Sequence, residues 1–89
     1  MPMFVVERYI PALTPSGVRE QIDLERAALA QNEAQNEGVR HLRSTYLRED
    51  ELCLSVYEAP SRRAVEQANE RAGLRFERIT EAIDAEVTT

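Results

Sequence analysis

The chain has 89 residues, of which 43% are hydrophobic and 30% are charged, a composition typical of one soluble globular domain. Its net charge of −5 argues against a general nucleic-acid-binding protein, which would normally present a basic face. The N-terminal segment has no positively charged leader, and its apolar run is too short for a signal peptide or a membrane span. The single cysteine, Cys53, excludes an internal disulfide. We therefore expect one cytoplasmic domain over residues 1–89 that binds neither nucleic acid nor membrane.

The first half of the chain predicts a strand followed by a helix. Residues 4–10 are rich in β-branched and aromatic side chains and stop at Pro11, which indicates the first strand. Thr14 is a good N-cap and Pro15 suits the first helical position, so a helix should begin there. The stretch QNEAQNEG is weakly patterned and should fray before Gly38 ends the helix. The apolar residues at helical spacing are Val18, Ile22 and Leu29.

The second half predicts a hairpin, a second helix and a final strand. The second strand should cover residues 39–47 and the third residues 52–58, joined by a polar turn over residues 48–51. Ser61 is expected to cap the start of the second helix. A last strand should lie within residues 79–87, where apolar residues alternate with polar or small ones.

This order of elements, β-α-β-β-α-β, predicts a ferredoxin-like split βαβ fold of the α+β class. With right-handed crossovers it forms a four-stranded antiparallel sheet with both helices on one face. The other face must then be polar or covered by a partner. Because so small a chain buries only about 60% of its unfolded surface, we expect a homodimer.

The hairpin turn sets the pairing of the second and third strands. With residues 49 and 50 at its tip, Tyr46 faces Cys53 and His41 faces Glu58. A slip of one residue would destroy the second pair. The residues expected on the uncovered sheet face are Glu7, Tyr9, His41, Arg43, Thr45, Leu54, Val56 and Glu58.

Three of these residues, Glu7, His41 and Glu58, form a candidate metal site. Imidazole and carboxylate groups suit a first-row divalent ion such as nickel, with waters in the remaining positions. Tight binding usually needs three or more protein ligands, and the sequence guarantees no third one. The alternative is an ordinary cross-strand Glu–His pair, with Arg43 competing for the carboxylates.

Three further features have simpler structural explanations. We expect Cys53 to be a small buried hydrophobe, because a nucleophilic thiol would need a base beside it. The segment Ser61-Arg62-Arg63 could bind an anion at the start of the second helix, although exposed arginines are usually only solvated. The acidic residues 49–51 suit a soluble hairpin tip and could also hold a weak surface cation.

Short motifs are spread over most of the chain: V-E-R at residues 6–8, V-R-H-L-R-S-T-Y at 39–46, Y-E-A-P at 57–60 and R-A-G at 71–73. Together they resemble a small bacterial ferredoxin-like family of unknown function that includes a nickel-binding protein. The resemblance implies a ferredoxin-like domain, homodimerisation and binding of a divalent metal. The chain departs from the family pattern at Arg75, where proline is common, and at His41, where an aromatic residue is more usual.

The leading hypothesis is therefore a homodimeric cytoplasmic protein that binds a divalent transition metal, nickel by resemblance, rather than an enzyme. One alternative is an enzyme with a small-molecule pocket between two facing sheets. Tyr9, His41, Arg43 and Glu58 would then act as acid–base and positioning groups. Another alternative is a non-catalytic interaction module. The sequence holds no complete catalytic or cofactor motif that favours the enzyme.

Overall fold

A single antiparallel sheet with two helices makes up the part of the protein that the computed structural model describes, residues 1–85. The strand order is β2-β3-β1-β4. This is the ferredoxin-like arrangement expected from the sequence, and the prediction is confirmed. The end predicted for the last strand, at Val87, lies outside the described residues. The elements are β1 (Met3–Tyr9), α1 (Pro15–Ala30), β2 (Arg40–Leu47), β3 (Leu52–Glu58), α2 (Arg62–Arg71) and β4 (Arg78–Ala82).

Both helices begin at the capping side chains that the sequence predicts. Thr14 Oγ1 accepts a hydrogen bond from the amide of Gly17 at 3.1 Å, and a proline follows at the start of α1. Ser61 Oγ accepts one from the amide of Ala64 at 3.1 Å at the start of α2. Each cap satisfies an amide that has no partner within its helix. Neither helix is long and apolar enough to cross a membrane, as judged over residues 1–85.

The C-terminal end of α1 lies inside the expected helix, near the start of the polar stretch QNEAQNEG. Regular helix stops at Ala30, and turns carry the chain to Gly38, which has φ +79°. Asn36 is buried within these turns, and its side-chain amide donates to the carbonyl of Leu29 at 3.2 Å. A polar stretch gains little by continuing as helix, because helices in proteins are stabilised mainly by packing an apolar face.

The core lies between the sheet and the two helices. Alternation along β1 places Phe4 and Val6 under the helices, where they join Tyr57 and Val65 in one buried cluster. Leu29 of α1 packs against this cluster. Each such apolar side chain contributes about 1.5–3 kcal/mol when it is fully buried.

The opposite side of the sheet, here called the uncovered face, carries the alternate residues of each strand. No helix within residues 1–85 packs on it, so its apolar side chains remain partly exposed to solvent. Its residues include Met3, Val5, Glu7, Tyr9, Arg43, Thr45, Leu54, Val56 and Glu58.

The pairing of β2 with β3 follows the predicted register near the turn and departs from it further away. Arg43 lies opposite Val56 as expected, but the register shifts between His41 and Arg43, leaving Leu42 without a partner. His41 therefore pairs with Tyr57 and not with Glu58. A shift of one residue moves a side chain to the other face of the sheet. His41 consequently lies under the helices, and its predicted place on the uncovered face is corrected.

Candidate functional site

A carboxylate lies buried between the sheet and the helices. Glu25 of α1 is 2% exposed. Its Oε2 accepts hydrogen bonds from Arg8 Nη2 at 3.0 Å and from the hydroxyl of Tyr57, while Oε1 accepts one from Ser55 Oγ at 2.9 Å. A buried charge is costly unless it is paired and hydrogen-bonded. These donors, from β1 and β3, satisfy the carboxylate.

The surroundings of Glu25 keep it ionised. Burial by itself raises the pKa of this carboxyl, but the charge of Arg8 and the hydrogen bond from Tyr57 lower it by more, so its pKa lies below the ordinary value. The same contact acts in the opposite direction on the tyrosine. Burial and the neighbouring carboxylate raise the pKa of Tyr57 far above its ordinary range, so the phenol keeps its proton.

One guanidinium group joins this carboxylate to the rest of the fold. Arg8 is 4% exposed. Its Nη1 donates to the carbonyl of Arg75 at 2.8 Å, and its Nη2 donates to the side-chain oxygen of Asn69 as well as to Glu25. Arg8 therefore ties β1 to both helices and to the segment between α2 and β4. We call the connected side chains Arg8, Glu25, His41, Ser44, Ser55, Tyr57 and Asn69 the polar core.

His41 forms the outer end of the polar core. Its Nε2 lies 2.8 Å from Ser44 Oγ and 3.7 Å from Glu25 Oε2, and its Nδ1 accepts a hydrogen bond from Arg26 Nε at 3.4 Å. Because Nδ1 accepts, the network assigns the proton to Nε2. Burial lowers the pKa of His41, and Arg26 adds to this, while Glu25 acts against it. The imidazole is therefore neutral at neutral pH.

A surface pocket of about 370 Å³, here called the His41 pocket, opens where α1 ends and β2 begins. The rings of His41 and Tyr57, with centroids 5.2 Å apart, both border it. An apolar wall with a few polar groups is the usual make-up of a small-ligand site. The other side chains that line it are the polar Arg26, Glu33 and Asn36 and the apolar Leu29, Ala30 and Val39.

The structure separates the two carboxylates of the predicted metal site. Glu7 and Glu58 both lie on the uncovered face, but Glu58 is opposite Met3, four residues along β1 from Glu7. At about 3.3 Å per residue, this offset amounts to roughly 13 Å. Each carboxylate is engaged by an arginine instead: Arg78 Nε lies beside Glu7 Oε2, and Arg40 Nη1 lies 3.3 Å from Glu58 Oε1.

The predicted metal site also loses its imidazole, because the shift at Leu42 turns His41 to the helix-covered face. Glu7, His41 and Glu58 therefore do not meet within one chain. The same geometry corrects the enzyme alternative, since Tyr9 and Arg43 stay on the uncovered face while the pocket beside His41 opens on the other side.

Cys53 lies on the helix-covered face, as its pairing with Tyr46 predicts. It is 2% exposed, and burial raises the pKa of its thiol. Its Sγ lies 4.0 Å from Ser55 Oγ. These surroundings fit a small buried hydrophobe, since reactive cysteines are partly exposed and have a lowered pKa.

Sequence reasoning missed Arg8 and Glu25, although both follow a periodic pattern. Arg8 continues the inward alternation of β1 two residues after Val6, and Glu25 lies three residues after Ile22 and four before Leu29 on the apolar stripe of α1. Charged side chains are almost never fully buried unless they are paired. One charge of each sign on two inward faces could have indicated a buried ion pair.

Comparison with known proteins adds a family to this geometry. Residues 4–82 match the family model described as "Nickel responsive protein SCO4226-like". The chain belongs to this family. The crystal structure of SCO4226 from Streptomyces coelicolor A3(2) is similar, with a TM-score of 0.71 and 20% sequence identity over 94% of this chain and 99% of that one. Such a likeness shows the shared fold. No curated protein shows significant similarity to the chain.

This SCO4226-like chain offers nickel an incomplete set of ligands. Within residues 1–85, no three His, Cys, Asp or Glu side chains lie close enough to share a metal ion. His41 and Glu33 both line the His41 pocket, together with the amide of Asn36. Imidazole nitrogen and amide or carboxylate oxygen are donors that nickel accepts. Arg26, beside Nδ1 of the imidazole, places a positive charge at the same point.

Proposed function

We propose that the chain is a cytoplasmic, homodimeric binding protein for nickel(II), and that the His41 pocket is its binding site. The observation that carries the proposal is a single, neutral imidazole that shares a pocket with the carboxylate of Glu33. Membership of a family described as nickel responsive supports the choice of metal. The free thiol of Cys53 fits the reducing cytoplasm.

The surroundings of His41 suit the role of a metal ligand. A histidine must be deprotonated at the binding nitrogen, and the lowered pKa meets this requirement at neutral pH. Its Nε2–H is within hydrogen-bonding distance of Ser44 Oγ, and such a partner fixes the tautomer and the orientation of a ligating ring. The nitrogen left for the metal is Nδ1, which becomes available when the exposed Arg26 side chain moves away.

Calorimetric titration with nickel chloride tests this site, using protein purified without an affinity tag because tags capture nickel themselves. We expect saturable binding that weakens at least tenfold in His41→Phe and in Glu33→Gln. Glu20→Gln, an exposed substitution on α1, should bind like the wild type. Circular dichroism checks that each variant is folded. Absence of saturable binding by the wild type, or unchanged binding in both pocket variants, refutes the proposed site.

The uncovered face supports the proposed homodimer. Val5, Leu54 and Val56 form a half-exposed apolar centre on it. In a symmetric dimer the same patch meets its own copy, so a patch bordered by charges of both signs can be self-complementary. A typical stable interface buries about 800 Å² on each partner, which one face of a small sheet can supply. The bordering ion pairs are Glu7–Arg78, Arg40–Glu58 and Arg43–Asp84.

Light scattering coupled to size-exclusion chromatography tests the dimer. Val56→Asp places a charge at the centre of the apolar patch and should convert the dimer into a folded monomer, because burying an unpaired charge is costly. Leu24→Asp is the matched control, since Leu24 is 63% exposed on α1, on the other side of the molecule. A monomeric wild type, or a Val56→Asp variant that remains dimeric, contradicts the proposed interface.

A further inference from the structure

The His41 pocket is much larger than a metal ion needs. Its volume is about 370 Å³, whereas a water molecule occupies about 30 Å³ in the liquid. Part of its wall is formed by Leu29, Ala30 and Val39, whose side chains have no donor atoms for a metal. Pockets of about 300–1,000 Å³ with apolar walls usually hold small organic molecules. The pocket thus has space and apolar surface that a hydrated ion alone would not use.

The charge in the pocket also does not suit a bare cation. Arg26 Nε lies 3.4 Å from His41 Nδ1, the nitrogen that the proposed function assigns to the metal. A guanidinium group repels a dication at this distance but forms strong, often bidentate hydrogen bonds with a carboxylate. Arg26 would therefore oppose hydrated nickel and favour a ligand that carries a carboxylate.

The shortage of protein ligands leads to the same conclusion. Residues 1–85 bring no three His, Cys, Asp or Glu side chains together, and the His41 pocket contributes only His41 and Glu33 of these types. The remaining donors around nickel must come from another source. An organic acid with two or more oxygen or nitrogen donors would supply them and would also fill the space next to the apolar wall.

Building on the proposed function, we propose that the natural ligand of the His41 pocket is a nickel–carboxylate chelate and not the hydrated ion. The chelator is a compact hydroxy- or amino-polycarboxylate that holds nickel through its own donors. Its outer carboxylate pairs with Arg26, and its carbon skeleton contacts Leu29 and Val39. His41 and Glu33 complete the coordination of the metal.

Paired calorimetric titrations in a non-coordinating buffer test this inference. The probes are nickel chloride, the 1:1 nickel–citrate complex, and citrate alone. We expect nickel–citrate to bind at least tenfold more tightly than hydrated nickel. Arg26→Gln should lose at least tenfold in affinity for nickel–citrate while binding hydrated nickel as well as or better than the wild type. Arg19→Gln, another exposed substitution on α1, should leave both affinities unchanged.

The direction of the citrate effect separates the outcomes. A site for hydrated nickel alone would lose the metal to citrate, so weaker apparent binding in citrate overturns the chelate inference and leaves the proposed nickel function intact. Equal binding of citrate with and without nickel overturns the inference as well, because the acid alone would then be the ligand. No saturable binding of nickel in either form overturns the proposed function itself.

Discussion

Replacing Glu25 with glutamine should strongly destabilise the fold. The substitution keeps the size of the side chain but removes its negative charge from the polar core. Arg8, which is 4% exposed, would then keep a buried positive charge whose only carboxylate partner within residues 1–85 is gone. The hydroxyls of Ser55 and Tyr57 would also donate to a weaker, neutral acceptor.

The size of this effect follows from the burial of the pair. Removing one partner of a buried ion pair typically costs about 3–5 kcal/mol, since the other charge is left uncompensated. A domain of 89 residues has a total stability of only about 4–13 kcal/mol, at roughly 0.05–0.15 kcal/mol per residue. Glu25→Gln should thus remove a large share of the total and lower the melting temperature by at least about 12 °C.

Urea unfolding followed by far-ultraviolet circular dichroism measures the change, with every variant at the same protein concentration because a dimer unfolds in a concentration-dependent way. Glu20→Gln, exposed on the same helix, should change the free energy of unfolding by less than about 0.5 kcal/mol. A loss below about 1 kcal/mol in Glu25→Gln would show that the pair with Arg8 is not the strongly coupled buried pair described above.

The pH dependence of stability gives a second measure of Glu25. Its pKa in the folded protein lies below the ordinary value of 4.5. The stabilisation is therefore complete above pH 4.5 and is lost as the pH falls through the lower folded pKa. Glu25→Gln should lack this acid-dependent loss, while the wild type and Glu20→Gln should show it.

Three further predictions concern single residues. Burial lowers the pKa of His41 from 6.5, so the unfolded chain binds its proton more readily; the free energy of unfolding should fall as the pH drops below about 6.5, and His41→Phe should remove this slope in urea titrations at a series of pH values. Cys53, which is 2% exposed and has a raised pKa, should react with iodoacetamide about a hundredfold more slowly in the folded protein than in denaturing urea. Gly38→Ala should destabilise the fold by about 1–2 kcal/mol in thermal melts, because left-handed backbone disfavours alanine. At Gly38 φ is +79° and the new Cβ would lie 3.3 Å from Pro60 Cγ. Gly38→Asn should cost less, since asparagine tolerates this conformation.

Local chemistry was sufficient to predict where most elements begin and end. Thr14 and Ser61 cap the two helices because their hydroxyl oxygens satisfy amides a few residues away. The hairpin pairs as predicted close to its turn, where the turn residues set the register. These contacts join residues that are near in sequence, so the sequence alone carries the information.

The position of His41 could not be predicted in the same way. The pairing was extrapolated from the turn across Leu42, and one irregularity there was enough to reverse the face. The sequence gives no local sign of this bulge. The predicted meeting with Glu58 failed for this reason, and the imidazole instead points toward Glu25 of α1.

From the sequence by itself came the β-α-β-β-α-β order, and with it a sheet covered by helices on one side, because periodicity, capping and turn residues act over short distances. Tertiary structure alone decided which charges are buried. Arg8 meets Glu25, seventeen residues away, and Asn69, sixty-one residues away, only after β1, α1 and α2 have packed together. The candidate site depends on these distant contacts, since a charge becomes stable in the core only when folding brings its partner to it.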